Sequence, residues 1–149
     1  MTAQRRLLRD CLRAGTWASL AMVPPGIGFR LLDLRIGHYG RRPLDTLLGT
    51  VPAPWLQLLL LAQHFLIGWL SVLPLALVWR RQAPALPRRL LIGTAYGALY
   101  YLLLNAWLLP RAFGDPSPFA LGWSTVYPSL TVHLLFGIVA AWQLAPRQG

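Results

Sequence analysis

Lysine and glutamate are absent from this chain of 149 residues, so its 14 basic residues are all arginine and its 4 acidic residues are all aspartate. Charged residues make up 12% of the sequence, about half the share in an average soluble domain, and apolar residues make up 56%. Composition therefore excludes an ordinary soluble fold. The net charge of +10 does not indicate nucleic-acid binding, because the arginines lie in short clusters beside apolar runs, where lipid head groups are the natural anionic partner.

The sequence contains a single cysteine, Cys11. One cysteine excludes an intrachain disulfide and a cysteine-rich metal site. Cys11 lies among Arg9, Asp10 and Arg13, at the predicted edge of a membrane span. We interpret it as an incidental cysteine beside the membrane rather than a palmitoylated or reactive one.

Four stretches are predicted to cross a membrane as helices. Residues 54–79, 90–109 and 119–142 contain no charged residue and meet the requirement of about 20 apolar residues for a crossing. Residues 14–30 are interrupted by Pro24, Pro25 and Gly26, so we predict a short, kinked first span whose flanking arginines reach the interface. Residues 43–51 predict a short amphipathic helix on the outer membrane surface.

Short connections between these spans predict one all-α domain over residues 1–149, an integral membrane four-helix bundle with up-down-up-down topology. The arginines divide unequally between the two sides. One side holds Arg5, Arg6, Arg9, Arg13, Arg80, Arg81, Arg88, Arg89 and Arg147, and the other holds Arg30, Arg35, Arg41, Arg42 and Arg111. Because arginine accumulates on the cytoplasmic side, we expect both termini in the cytoplasm. The exclusive use of arginine indicates a bacterial source, which places the protein in an inner membrane.

Two segments of the second and fourth spans nearly coincide. His64 precedes Gly68, and His133 precedes Gly137, with leucine between them in each case. A Gly-Thr pair also occurs in the first span and again in the third. The economical interpretation is a duplicated helical hairpin, as in many membrane proteins.

Small and polar residues recur at helical spacing in the predicted spans. Helical neighbours at this spacing share a face, and in lipid such faces turn toward other helices, where glycine permits close approach and polar side chains form hydrogen bonds. We therefore predict an interior polar stripe. Its members are Gln57, Tyr101, Asn105, Thr125 and Ser129.

His64 and His133 are the candidate binding residues, because ionisable side chains inside a membrane are rare. Spans two and four lie diagonally in a square bundle, so two imidazoles there are placed to ligate one haem b. The alternatives are a single metal ion, interhelical hydrogen bonding, and proton or small-molecule handling. A zinc site is not expected, because the spans offer no carboxylate or thiol. Ser129 near His133 does not predict catalysis, since no acidic residue is available to orient the imidazole.

The order of these features runs along nearly the whole chain: a Gly-rich first span, an amphipathic outer segment, His64 before Gly68, Gly93 before Gly97 in a span ending at Pro110, and His133 before Gly137. In this order the chain resembles a domain-of-unknown-function family of small bacterial four-helix inner-membrane proteins. It is more loosely similar to the YagU group of inner-membrane proteins. The resemblance implies the fold and implies no activity.

These observations predict a small multi-pass protein that acts as a structural or accessory subunit, packed against itself as a homo-oligomer or within a larger membrane complex. We do not expect an enzyme or a nucleic-acid partner. A haem-binding bundle and a protein that handles small molecules or lipids remain alternatives.

Overall fold

The computed structural model describes residues 2–36, 41–79 and 84–144, and these residues form helices and no strand. This confirms the all-α class. The helices are α1 (Ala3–Leu31), α2 (Arg41–Leu48), α3 (Ala53–Val78), α4 (Leu86–Tyr100), α5 (Leu109–Phe113), α6 (Pro118–Leu121) and α7 (Trp123–Gln143), and a π-helical segment (Tyr101–Leu108) joins α4 to α5. Arg80, Arg81 and Arg147, which enter the orientation argument, lie outside the described residues.

Three helices in the described part of the chain are long and apolar enough to cross a membrane. They are Ala53–Val78, Leu86–Phe113 and Trp123–Gln143, with mean hydropathies of 1.8, 1.3 and 1.4. They correspond to the second, third and fourth predicted spans. Helix α1 has 29 residues, but its arginines and prolines keep it outside this apolar group. Its crossing of a membrane stays a prediction.

Helix α1 is longer than the first predicted span. It begins at Ala3, where the hydroxyl of Thr2 accepts a hydrogen bond from the backbone N–H of Arg5. It then continues through Pro24 and Pro25 to Leu31. Proline lacks an N–H and removes a backbone hydrogen bond, but two prolines in succession do not end this helix.

The fourth predicted span is divided near its start. The hydroxyl of Ser117 caps α6, and Gly122 then adopts a φ of 95°, a backbone conformation that L side chains rarely adopt. A new helix, α7, begins at Trp123. The continuous helix therefore starts four residues later than the predicted Phe119.

The third long helix widens in its second half. The π-helical segment Tyr101–Leu108 follows α4 without a break, and α5 continues to Phe113. Pro110 has no N–H to donate, so a regular α-helical hydrogen bond cannot form there. In a π-helix the hydrogen bonds span one residue more than in an α-helix, and such turns are frequent at functional sites. Gly114, with a φ of 66°, ends the helix.

Helix α7 occupies the centre of the packing, against α1 on one side and α4 on the other, and α1 also packs against α3. The contacting helices are antiparallel, because later residues of one helix approach earlier residues of the other. Gly15 of α1 approaches Trp69 of α3, whereas Gly93 and then Gly97 of α4 approach Ala141 and then His133 of α7. The starts of α1 and α4 and the ends of α3 and α7 therefore share one end of the molecule.

That common end contains the larger hydrophobic core, which includes Cys11, Ala18, Val72 and Phe136. A smaller core at the other end surrounds the fully buried Tyr101. The guanidinium of Arg13 donates a hydrogen bond to the backbone carbonyl of Gln143, the last residue of α7. A cation at a helix C-terminus is favourable because the helix dipole is negative there.

Helix α2 covers most of the predicted amphipathic segment and begins at Arg41, two residues earlier than predicted. Two ion pairs hold it. Arg41 contacts Asp45 within the helix at 3.2 Å, and Arg42 contacts Asp115, in the turn after α5, at 2.7 Å.

Candidate functional site

The polar groups around His133 form the best-connected cluster inside the apolar helices. The His133 Nδ1 atom lies 2.6 Å from the backbone carbonyl of Ser129, one turn earlier on α7. A carbonyl only accepts, so Nδ1 carries the proton and Nε2 keeps a lone pair. The side-chain amide of Asn105 donates to that Nε2 at 3.0 Å. Both ring nitrogens of His133 are thus used, and the imidazole is neutral in this arrangement.

Two tyrosine rings flank the imidazole of His133. The Tyr100 ring stacks on it with a centroid distance of 5.9 Å and an interplanar angle of 24°. The Tyr101 ring lies at 5.6 Å and is tilted by 50°. The two aromatic rings pack against the partly buried imidazole and, with its two hydrogen bonds, restrict its rotation.

Tyr96 and Tyr100 of α4 also connect this helix to α3 through their hydroxyl groups. The Ser71 Oγ donates to the Tyr100 hydroxyl at 2.8 Å, and the Tyr96 hydroxyl donates to the Ser71 backbone carbonyl. These hydrogen bonds, together with the ring stack, link α3, α4 and α7 through one row of polar and aromatic groups.

His64 serves the other helix pair. Its Nε2 lies 3.2 Å from the backbone carbonyl of Ser19 on α1, so this nitrogen is the donor. One turn further along, the Trp69 indole N–H donates to the Thr16 hydroxyl at 2.9 Å. His64 therefore joins α3 to α1, whereas His133 joins α7 to the π-helical segment.

Glycine contacts in the two antiparallel pairs follow the repeat in the sequence. A Cβ added at Gly15 would meet Trp69 at 2.8 Å and Gly68 at 2.9 Å. A Cβ added at Gly137 would overlap the backbone of Gly93 and lie 2.9 Å from the backbone nitrogen of Gly97. In each pair a histidine lies one turn before the glycine of the later helix, which supports the interpretation as a duplicated hairpin.

Most of the predicted polar stripe lies between helices. Tyr101, Thr125 and Ser129 are buried, and Asn105 is half-buried against His133. Gln57 differs from the others: it is exposed, and its neighbour Leu56 is the buried residue. The interior placement expected for Gln57 is therefore not what the structure has.

Sequence reasoning assigned no role to Tyr96, Tyr100 or Thr16. A signal for the two tyrosines existed, because a phenol hydroxyl in a leucine-rich helix needs a partner and the two residues are one turn apart. Thr16 offered less, since a hydroxyl on a helix often bonds to its own backbone, as Thr94 does with the carbonyl of Leu90.

The two histidines are candidate ligands for a metal ion or for haem iron, because imidazole nitrogen is a common ligand for both. The described residues contain no group of three or more His, Cys, Asp or Glu side chains placed to hold a metal ion. The Nε2 atoms of His64 and His133 are the usual ligands for haem iron, and both already form hydrogen bonds. Ligation of haem iron by both histidines therefore requires that both hydrogen bonds break and that the rings of Tyr100 and Tyr101 move away from His133.

A cleft opens between α3 and α4 beside the tyrosines. Its volume is about 350 Å³, and it opens to the side of the molecule. Its walls are apolar, and Ser71, Tyr96 and Tyr100 also line it.

No protein-family model, curated protein or solved structure matches the chain. The interpretation of the site therefore rests on the contacts described above.

Proposed function

We propose that this chain is a multi-pass protein of a bacterial inner membrane, without enzymatic activity, that serves as a structural or accessory subunit. Its four long helices, α1, α3, Leu86–Phe113 and α7, cross the bilayer as an up-down-up-down bundle. The observation that carries the proposal is the Asn105–His133–Ser129 network. Polar groups within lipid need protein partners, and here both His64 and His133 bond to another helix of the same chain.

The proposed topology has both termini in the cytoplasm. Reporter fusions at Gly149 and within residues 31–53 test it, because the two sites should report opposite sides of the membrane. The same sidedness for both fusions would overturn the four-span bundle.

An accessory role is supported by an asymmetry between the two hairpins. In a duplicated hairpin, the interface of α1 with α7 corresponds to the interface of α4 with α3. The first is closely packed and the second is the open cleft. We propose that a helix of a second copy, or of another membrane protein, covers this side of α3 and α4.

Bulky substitutions in the cleft test this placement. Ile67 lines the cleft, whereas Leu61 is exposed on the same helix outside the cleft. We compare Ile67→Trp, which fills the cleft, with Leu61→Trp as the control. After gentle detergent extraction, Ile67→Trp should lower the particle mass or remove co-purifying proteins, and Leu61→Trp should leave both unchanged. A monomeric wild-type particle without companions would contradict the accessory role.

The cleft also favours the second candidate, handling of a lipid or small lipophilic molecule, because hydroxyl groups lie among its apolar walls. The same variants separate the two: an unchanged particle mass with loss of a bound small molecule in Ile67→Trp would favour this role.

The haem alternative has a direct test in the visible spectrum. A Soret band that disappears in His64→Ala and in His133→Ala would establish it.

A further inference from the structure

The first four turns of α1 present arginines on one face. Arg5, Arg9 and Arg13 follow one another at intervals of four residues, so their side chains form a row about 12 Å long. The same surface continues into apolar side chains, of which Trp17 is 55% and Leu20 43% exposed. Together these residues line an open cavity of about 530 Å³.

The positive charge of this face is poorly compensated within the described residues. The one carboxylate paired with it is that of Asp10, 3.9 Å from Arg9. Arg5 forms no ion pair there, and the Nε–H of Arg13 has no acceptor. An anion placed along the row would therefore meet several guanidinium groups and little repulsion.

The length of α1 sets this face at the membrane surface if the chain spans the bilayer as proposed above. Its 29 residues extend about 43 Å, whereas the hydrocarbon layer is about 30 Å thick. With Arg30 near the opposite surface, the excess projects at the N-terminal end. At 1.5 Å per residue from Arg30, Arg5 and Arg9 then lie among the head groups, and Arg13 lies about 5 Å below the hydrocarbon boundary with a side chain long enough to reach it. Trp17 lies about 10 Å below that boundary, at the level of the acyl chains.

We propose that this face of α1 binds one anionic phospholipid, with the phosphate held by Arg9 and Arg13, the head group facing Arg5, and an acyl chain along Leu12, Trp17 and Leu20. Guanidinium groups bind phosphate oxygens through paired hydrogen bonds. A zwitterionic lipid has the same phosphate, but its cationic head would lie against Arg5. The site therefore selects lipids with a net negative charge, such as phosphatidylglycerol.

The test compares two double variants of the full chain in nanodiscs of equal parts phosphatidylglycerol and phosphatidylcholine. Arg5→Gln with Arg9→Gln removes two of the three arginines of the row and keeps the contact of Arg13 with Gln143. The control, Arg6→Gln with Arg88→Gln, removes the same charge from exposed residues at the same end of the molecule but outside the cavity. Native mass spectrometry counts the lipids that remain bound.

We expect wild type and control to retain one phosphatidylglycerol molecule and the first variant to retain at least tenfold less. An equal loss in both variants would overturn the proposal, because it would show diffuse attraction, and so would no loss in either. Release by 10 mM inorganic phosphate would identify a free-phosphate site and would also overturn it. Failure of the wild-type chain to enter nanodiscs, or its release from membranes by alkaline carbonate, would instead contradict the membrane-spanning proposal itself.

Discussion

Replacing Gly137 by alanine should separate α7 from α4. The added methyl group would overlap the backbone carbonyl of Gly93 and lie 2.9 Å from the nitrogen of Gly97 and 3.0 Å from the carbonyl carbon of Gly93. Comfortable contacts between heavy atoms are about 3.5–4.0 Å. All of these neighbours are backbone atoms, which cannot rotate away, so the helices must move apart by roughly 1 Å.

Overpacking of this kind costs about 1–3 kcal/mol. A loss of about 2 kcal/mol lowers the folding equilibrium constant about 30-fold. Unfolding in mixed micelles with increasing sodium dodecyl sulfate, followed by circular dichroism, measures this difference.

Two other glycines provide matched controls. Gly28 has no atom within 4 Å of an added Cβ, so Gly28→Ala should be neutral or should stabilise α1 by up to about 1 kcal/mol, because alanine is a better helix former. At Gly68 the nearest atom is the Ser19 hydroxyl oxygen, a side-chain atom. Gly68→Ala should therefore cost less than Gly137→Ala, and Ser19→Ala should recover part of the loss. A change below 0.5 kcal/mol for Gly137→Ala would refute the close approach of α4 and α7.

Three further outcomes are expected. A double-mutant cycle on Asn105→Ala and His133→Ala should give a coupling free energy of about 0.6 kcal/mol, which is the average for hydrogen bonds between membrane helices. Additive effects of the two substitutions on stability would contradict the contact between these residues. Burial, and then the charge of Asp10, raise the pKa of the Cys11 thiol above its ordinary value, so maleimide labelling of the folded protein should be slow at pH 7.5, and labelling as fast as in a free peptide would contradict this. Because the folded pKa is the higher one, the stability contributed by the neutral thiol should be fully present below the unfolded pKa and should be lost as pH rises from the unfolded to the folded pKa. Arg42→Ala removes the exposed ion pair with Asp115 and should lower the free energy of unfolding by less than about 1 kcal/mol, but it should speed proteolysis after α2. An unchanged cleavage rate would show that other contacts hold α2.

The sequence predicted the three apolar helices well because a run of about 20 residues without charge has few alternatives to a helix. It predicted a first span over residues 14–30 and did not predict that the helix begins at Ala3, because residues 3–13 are rich in arginine and contain no long apolar run. The position of Gln57 also depends on its neighbours. Helical spacing assigns it to the face of His64, but α1 contacts α3 around Gly68 and Trp69, well away from Gln57.

The hydrogen-bond partners of the two histidines were harder to predict. Matching sequences around His64 and His133 suggested equivalent roles and a shared ligand. In the structure each imidazole bonds to a different helix, because Asn105 occurs only in the second hairpin and the carbonyl of Ser19 is reached only in the first. Partners of this kind depend on helix separation and depth, which hydrophobic periodicity does not contain.

The π-helical segment determines which way Asn105 points. In a regular α-helix, each residue turns by about 100°, so Asn105 would lie about 80° around the axis from Gly97, and its amide would point past α7. The wider turns of the π-helix rotate less per residue and return Asn105 to the side on which Gly97 meets α7. The glycine contact and the hydrogen bond to His133 thus need different helical pitches within one helix. A single-residue deletion after Asn105 that converts the segment to an ordinary α-helix would leave the imidazole without its amide partner, whereas a deletion before Asn105 would place it seven residues, about 700°, from Gly97 and keep both on the side of α7.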